Sequence, residues 1–92
     1  MVTAIVALKV ERKKVNEIAA QLSGMEGISE VYSVSGRYDL IALVRAPDTD
    51  KLSGIVTGAM LQVDGILDSE TMLAFRTYSK HDLDAMFSIG SD

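Results

Sequence analysis

Ile28-Ser29-Glu30-Val31-Tyr32-Ser33-Val34-Ser35, Gly36-Arg37, Tyr38-Asp39-Leu40-Ile41-Ala42-Leu43-Val44-Arg45 reads as two strands about a turn. The first run, residues 28–35, is rich in β-branched and aromatic residues, and the second, residues 38–45, is apolar almost throughout. Gly36-Arg37 puts glycine first in a two-residue turn, the preference of a type II′ hairpin. Upstream, residues 13–22 place Val15, Ile18, Ala19 and Leu22 at three- and four-residue spacing, a helix that Gly24 is expected to cap in the left-handed conformation. Before it, residues 2–10 alternate as a strand, with Val2, Ala4, Val6, Leu8 and Val10 on one face and Thr3, Ile5, Ala7 and Lys9 on the other. Downstream, Pro47-Asp48-Thr49-Asp50 opens a second helix with Asp48 or Thr49 as N-cap and a stripe of Leu52, Ile55, Val56, Ala59 and Met60. Gly54 and Gly58 weaken that helix by about 1 kcal/mol each and are read as allowing close packing on the sheet. Asp64-Gly65 turns the chain into a last strand, residues 66–78. The order β-α-β-β-α-β predicts an α+β, ferredoxin-like βαββαβ sandwich with a four-stranded antiparallel sheet. Residues 80–92 form a tail in which Leu83, Met86 and Phe87 take helical spacing after Asp82, an apolar face that must dock on something. The expected division is one domain over 1–79 and a short tail helix in 80–92.

With 92 residues, 48% hydrophobic and 24% charged, the composition is that of one folded domain rather than a disordered segment. There is no cysteine, which excludes disulfides, thiolate metal sites and thiol catalysis. No apolar run approaches the roughly 20 residues needed to span a bilayer. No basic segment precedes Met1-Val2-Thr3-Ala4-Ile5, so no signal peptide and a cytoplasmic location are expected. The net charge is −4, and the only basic cluster, Arg12-Lys13-Lys14, sits in the first turn of a helix. Phosphate neutralisation dominates nucleic-acid binding, so direct DNA binding is not expected.

Two helices cover one face of a four-stranded sheet. A second face open to water calls for apolar–polar alternation. Leu40-Ile41-Ala42-Leu43-Val44 is apolar on both sides and the first strand nearly so. The economical cover is the same sheet of a second copy across a two-fold axis, hence a homo-oligomer of at least a dimer.

Candidates for chemistry are few. His81 is the single histidine and lacks a sequence-adjacent nucleophile to serve. Asp68 and Glu70 share one face of the last strand, without His or Cys to build a metal site. There is no phosphate loop or dinucleotide glycine fingerprint. Asp39 differs, being a carboxylate at the head of an apolar strand, where it requires backbone N–H groups or a cation. Two readings fit. Asp39 stabilises its own turn, or Asp39 with the backbone of Gly36 and Tyr38 binds the ammonium and carboxylate of a zwitterion.

Ser35-Gly36-Arg37-Tyr38-Asp39-Leu40 resembles the Gly-x-Tyr-Asp turn of the ligand-binding (RAM) domain of the Lrp/AsnC family. Gly27-Ile28-Ser29-Glu30-Val31 ahead of it, and Val63-Asp64-Gly65-Ile66 followed by Ser69-Glu70-Thr71, match in order and spacing, with Ser69 where the family often has threonine. The resemblance covers about residues 1–79 and includes no helix-turn-helix, so it implies a stand-alone effector domain. It further implies sheet-paired dimers joined into octamer-like rings. An amino acid or similar metabolite would be held between subunits by Gly36, Arg37, Tyr38, Asp39, Leu40, Ser69 and Thr71. It implies regulation of transcription through DNA-binding partners, a full-length Lrp/AsnC regulator among the candidates, with no catalytic residue, metal or cofactor and no membrane. The alternatives are a dimeric α+β barrel enzyme such as a small monooxygenase, an ACT-type module, whose ligand glycine is missing after the first strand, and a purely structural oligomer.

Overall fold

The computed structural model describes residues 1–80, and the expected tail helix and His81 lie outside the described residues. The elements are β1 (Val2–Val10), a 3₁₀ turn (Arg12–Lys14), α1 (Val15–Ser23), β2 (Ile28–Ser33), β3 (Leu40–Ala46), α2 (Thr49–Ser53) and β4 (Ile66–Ala74). All strand pairs are antiparallel and the sheet order is β2-β3-β1-β4, the ferredoxin-like arrangement. Among the described residues no helix is long and apolar enough to cross a membrane.

Period-two alternation along β1 decides which side is core. Ala4, Val6, Leu8 and Val10 are buried under the helices together with Leu40, Ala42, Val44 and Ala46 of β3. α1 contributes Ile18 and Leu22, and the second helical segment contributes Leu52, Ile55, Val56 and Met60. Leu8, Ile18, Leu22, Leu40 and Met60 are fully enclosed. Truncating any one to alanine removes its transfer energy and leaves a cavity, about 2–5 kcal/mol. Asp48 caps α2 by accepting the Lys51 N–H at 2.8 Å, as its position after Pro47 suggests.

Several local expectations are corrected. Gly24 ends α1 in ordinary right-handed geometry (φ −87°), and the left-handed residue is Gly27 (φ +90°). A Cβ on Gly27 would lie 2.4 Å from Ile55 Cδ1 and 3.3 Å from the Arg45 carbonyl oxygen, so this glycine lets the second helix approach the sheet. Gly54 and Gly58 do not have that role, because a Cβ on either meets nothing within 4 Å. α2 instead widens into a π-helical stretch, Gly54–Ala59, then tightens to 3₁₀ over Met60–Gln62. β4 ends at Ala74, short of the expected residue 78.

The other face of the sheet carries two apolar rows. Leu43, Ile5 and Met72 stand side by side across β3, β1 and β4, and Tyr32, Ile41 and Ala7 stand side by side across β2, β3 and β1. Glu30 flanks the first row and Glu70 the second, with the Lys9–Asp68 pair beyond. The Tyr32 hydroxyl donates to Glu30 Oε2 at 2.8 Å, a bond that holds the phenol pKa above its ordinary value. The two-sided apolar character of β3 is thus realised, with Leu40, Ala42 and Val44 inward and Ile41 and Leu43 outward.

Candidate functional site

The β2–β3 connection is longer than a two-residue turn. Strand pairing stops at Ser33 opposite Leu40, so residues 34–39 form the link, closed by the Val34 N–H donating to the Asp39 carbonyl at 3.0 Å. Asp39 is the cause. Its carbonyl turns toward β2, while its own N–H turns the other way and donates to the Leu8 carbonyl at 2.9 Å. Its side chain follows, with Oδ2 accepting the Val10 N–H at 2.9 Å. One residue therefore joins β2, β3 and the end of β1, and the hairpin cannot zip to Gly36-Arg37. Gly36 keeps a positive φ of +113°, with open space where a Cβ would sit, so the turn conformation rather than packing selects glycine.

Asp39 is half-buried and, among the described residues, makes no ion pair. Oδ2 is used by Val10, and Oδ1 accepts from no described residue. Arg37 is exposed, Tyr38 is half-buried, and Leu40 is sealed in the core, so Leu40 presents only backbone to any ligand. Ser69 and Thr71 both lie on the helix-facing side of β4, opposite Leu8 and Val6. Ser69 thus shares the hairpin's end of the sheet, but β1 stands between it and Leu40, a separation of about 10 Å at normal strand spacing. Thr71 lines a groove beside α2 instead. A single protomer does not bring the seven predicted residues into one cavity.

A larger hollow of about 410 Å³, which the sequence did not signal, lies at the opposite end of the sheet. Met25, Glu26, Asp50, Lys51 and Ile55 line it. Asp68 and Glu70 point to the outer face, and Asp68 Oδ1 accepts the neighbouring Ser69 N–H. Among the described residues no group of three or more His, Asp or Glu is placed to hold a metal ion.

The family model described as the Lrp/AsnC ligand binding domain matches residues 3–84. The uncharacterized HTH-type transcriptional regulator PH1916 of Pyrococcus horikoshii is 33% identical over 61 residues, 66% of this chain and 41% of that protein. HTH-type transcriptional regulator FL11 of Pyrococcus abyssi is 27% identical over 77 residues, 84% of this chain and 50% of that protein. The chain therefore spans about half the length of the curated relatives it matches. The crystal structure of TTHA0845 from Thermus thermophilus superposes with a TM-score of 0.81 at 39% identity, covering 87% of this chain and 100% of that one. Both curated relatives are HTH-type transcriptional regulators. On the family match over nearly the whole chain, with the same fold at 39% identity, the protein belongs to the Lrp/AsnC ligand-binding domain family.

Proposed function

We propose that this chain is an effector-binding module that takes an α-amino acid or a closely similar zwitterion at the β2–β3 hairpin. The carrying observation is Asp39, one of whose carboxylate oxygens is fixed by the Val10 N–H while the other has no donor among the described residues. A fixed, half-spent carboxylate is oriented for an ammonium, and the exposed backbone about Gly36 supplies N–H donors for a carboxylate; both contacts are charge-assisted hydrogen bonds. Ser69 and Thr71 reach the same ligand only from a neighbouring subunit, because β1 separates them from the hairpin in their own chain. Regulator NMB0573 of Neisseria meningitidis, of the same fold at 16% identity, was solved as a complex with L-Met, which is in keeping with this ligand class.

The assembly that completes the site is a dimer through the outer sheet face, extended to a larger ring. The rows around Ile5, Ile41 and Leu43 supply an apolar centre, and Glu30, Glu70, Lys9 and Asp68 a charged rim, the anatomy of a protein interface. Ligand binding acts by favouring one assembly state through differential affinity, and influence on transcription passes through a DNA-binding partner, including a full-length Lrp/AsnC regulator. A thermal-shift screen of the twenty amino acids, read with the assembly mass by light scattering, tests this. A binder at 100 times its dissociation constant stabilises by about 2.7 kcal/mol. No stabilisation by any amino acid, with a monomeric mass, would refute it.

A further inference from the structure

Gly54 has no packing reason to be glycine. Its φ is −62°, ordinary right-handed geometry, and a Cβ there would meet nothing within 4 Å. Glycine is the poorest ordinary residue for a helix interior, so alanine would serve the fold better. What Gly54 does border is the hollow of about 410 Å³ between the α1–β2 connection and the second helical segment. That volume lies within the roughly 300–1,000 Å³ of small-molecule clefts. Gly54 also begins the π-helical stretch, a widening that is frequent at functional sites. The walls are fixed by backbone hydrogen bonds. The Met25 N–H donates to the Leu22 carbonyl at 3.0 Å, the Ile28 N–H to the Met25 carbonyl at 3.3 Å, and the Arg45 N–H to the Gly27 carbonyl at 2.7 Å. The Asp48 cap holds the start of α2 on the other side. Buried Ile55 and half-buried Met25 supply an apolar floor. Glu26 on one wall, with Asp50 and Lys51 on the other, forms an exposed rim. Among the described residues none of these three side chains makes a hydrogen bond or an ion pair.

We propose that this hollow is a second binding site, at the far end of the sheet from the hairpin, for a small apolar monoamine. The apolar body of the ligand covers Met25 and Ile55 and removes them from water, and its ammonium lies at the rim between Glu26 and Asp50. Charge decides the class. Two carboxylates and one ammonium leave the rim with a single net negative charge, which one bound cation neutralises. A zwitterion leaves that charge uncompensated, a carboxylate adds to it, and a polyamine brings further cations against Lys51. Discrimination of this kind works as much by repulsion as by attraction. The chain's net charge of −4 draws cations toward the same surface. Gly54 keeps the hollow open, because any side chain at that position would take up space the ligand needs. The site is independent of the hairpin, whose Asp39 and backbone donors call for both ends of a zwitterion.

The test uses the full chain with labelled methionine methyl groups and the probe 3-methylbutylamine, an ammonium ion at neutral pH. L-Leucine carries the same apolar branch with an added carboxylate, and 4-methylpentanoate carries the carboxylate alone. At millimolar concentration the amine should shift the Met25 methyl resonance saturably, with the other two binding at least about fivefold more weakly at this position. Glu26→Gln and Asp50→Asn should each weaken the amine by about two- to fivefold, the range of an exposed ion pair, and the double variant by more. In Gly54→Leu the Met25 shift should vanish, while urea denaturation shows the variant still folded. The proposal is overturned by the absence of a saturable Met25 shift with the amine, by L-leucine shifting Met25 with equal affinity, by unchanged amine affinity in Glu26→Gln/Asp50→Asn, or by undiminished binding in folded Gly54→Leu. None of these outcomes bears on the hairpin, which is read separately through Asp39→Asn.

Discussion

Asp39 carries two roles that two substitutions separate. In the free protein its Oδ2 satisfies the Val10 N–H at 2.9 Å, across a part-buried site between β1 and the hairpin. Asp39→Ala removes that acceptor and leaves the Val10 amide unpaired, a cost of about 1–3 kcal/mol in folding stability. Asp39→Asn retains a side-chain carbonyl in the same place, so the bond to Val10 survives as a neutral one. Hydrogen bonds to charged groups contribute about 1.5–3 kcal/mol and neutral ones about 0.5–1.5, so the asparagine variant should lose only about 1 kcal/mol. Binding responds differently. An ammonium held by a carboxylate loses about 1.5–3 kcal/mol when the charge goes, which is roughly 10- to 150-fold in dissociation constant. The expected pattern is a stability order of wild type, then Asp39→Asn, then Asp39→Ala in urea denaturation, with amino-acid binding by calorimetry already lost at the first step. If Asp39→Asn binds as tightly as wild type, the carboxylate does not meet the ammonium. If Asp39→Ala is as stable as Asp39→Asn, the Val10 bond contributes nothing and the account of the hairpin fails.

Other expectations follow from the packing. Leu43→Asp places a charge amid Ile5, Met72 and Glu30 on the outer face and should reduce the assembly to monomers by light scattering; an unchanged mass would exclude that face as the contact. Gly27→Ala should cost about 2–4 kcal/mol, since left-handed strain adds to overpacking against Ile55, whereas Gly54→Ala, facing open space in a helix, should gain about 0.4–1 kcal/mol in the same denaturation assay. The purified 92-residue chain, at net charge −4, should give no mobility shift with duplex DNA at physiological salt; a tight shift would contradict the electrostatic argument.

Alternation along residues 2–10 and the doubly apolar run at 40–44 were enough to read β1, β3, the sandwich and the facing of the sheet, because side-chain period and burial are local properties. The errors fall where a distant partner decides. Gly36-Arg37 looks like a minimal turn until the Asp39 N–H and carboxylate are seen to belong to Leu8 and Val10. Gly24 caps α1 without a positive φ, and the approach of Ile55 and the Arg45 carbonyl, rather than helix capping, requires glycine at Gly27. The π-helical widening at Gly54–Ala59 shifts the hydrogen-bond ladder by one residue, too little to disturb the apolar stripe that marked the helix. For the candidate site, the hairpin and its carboxylate were legible from one polar residue in an apolar strand. The placement of Ser69 and Thr71 was not, because it depends on the β1–β4 register, which neither strand states alone.

The central position of β1 also constrains how the chain acquires its shape. β1 pairs on both sides with strands that come later in the sequence: Leu8 meets Leu40 on one side and Ser69 on the other. Closing these two contacts means closing loops of about thirty and about sixty residues, and by loop entropy the longer costs only about 0.6 kcal/mol more. Neither is local, whereas β2 and β3 are joined by a six-residue link and can pair at once. During synthesis the apolar β1 therefore lacks its sheet neighbours until the hairpin exists to receive it, and β4 docks last. Folding should be limited by the capture of β1, so Val6→Ala should slow refolding while Leu73→Ala mainly speeds unfolding.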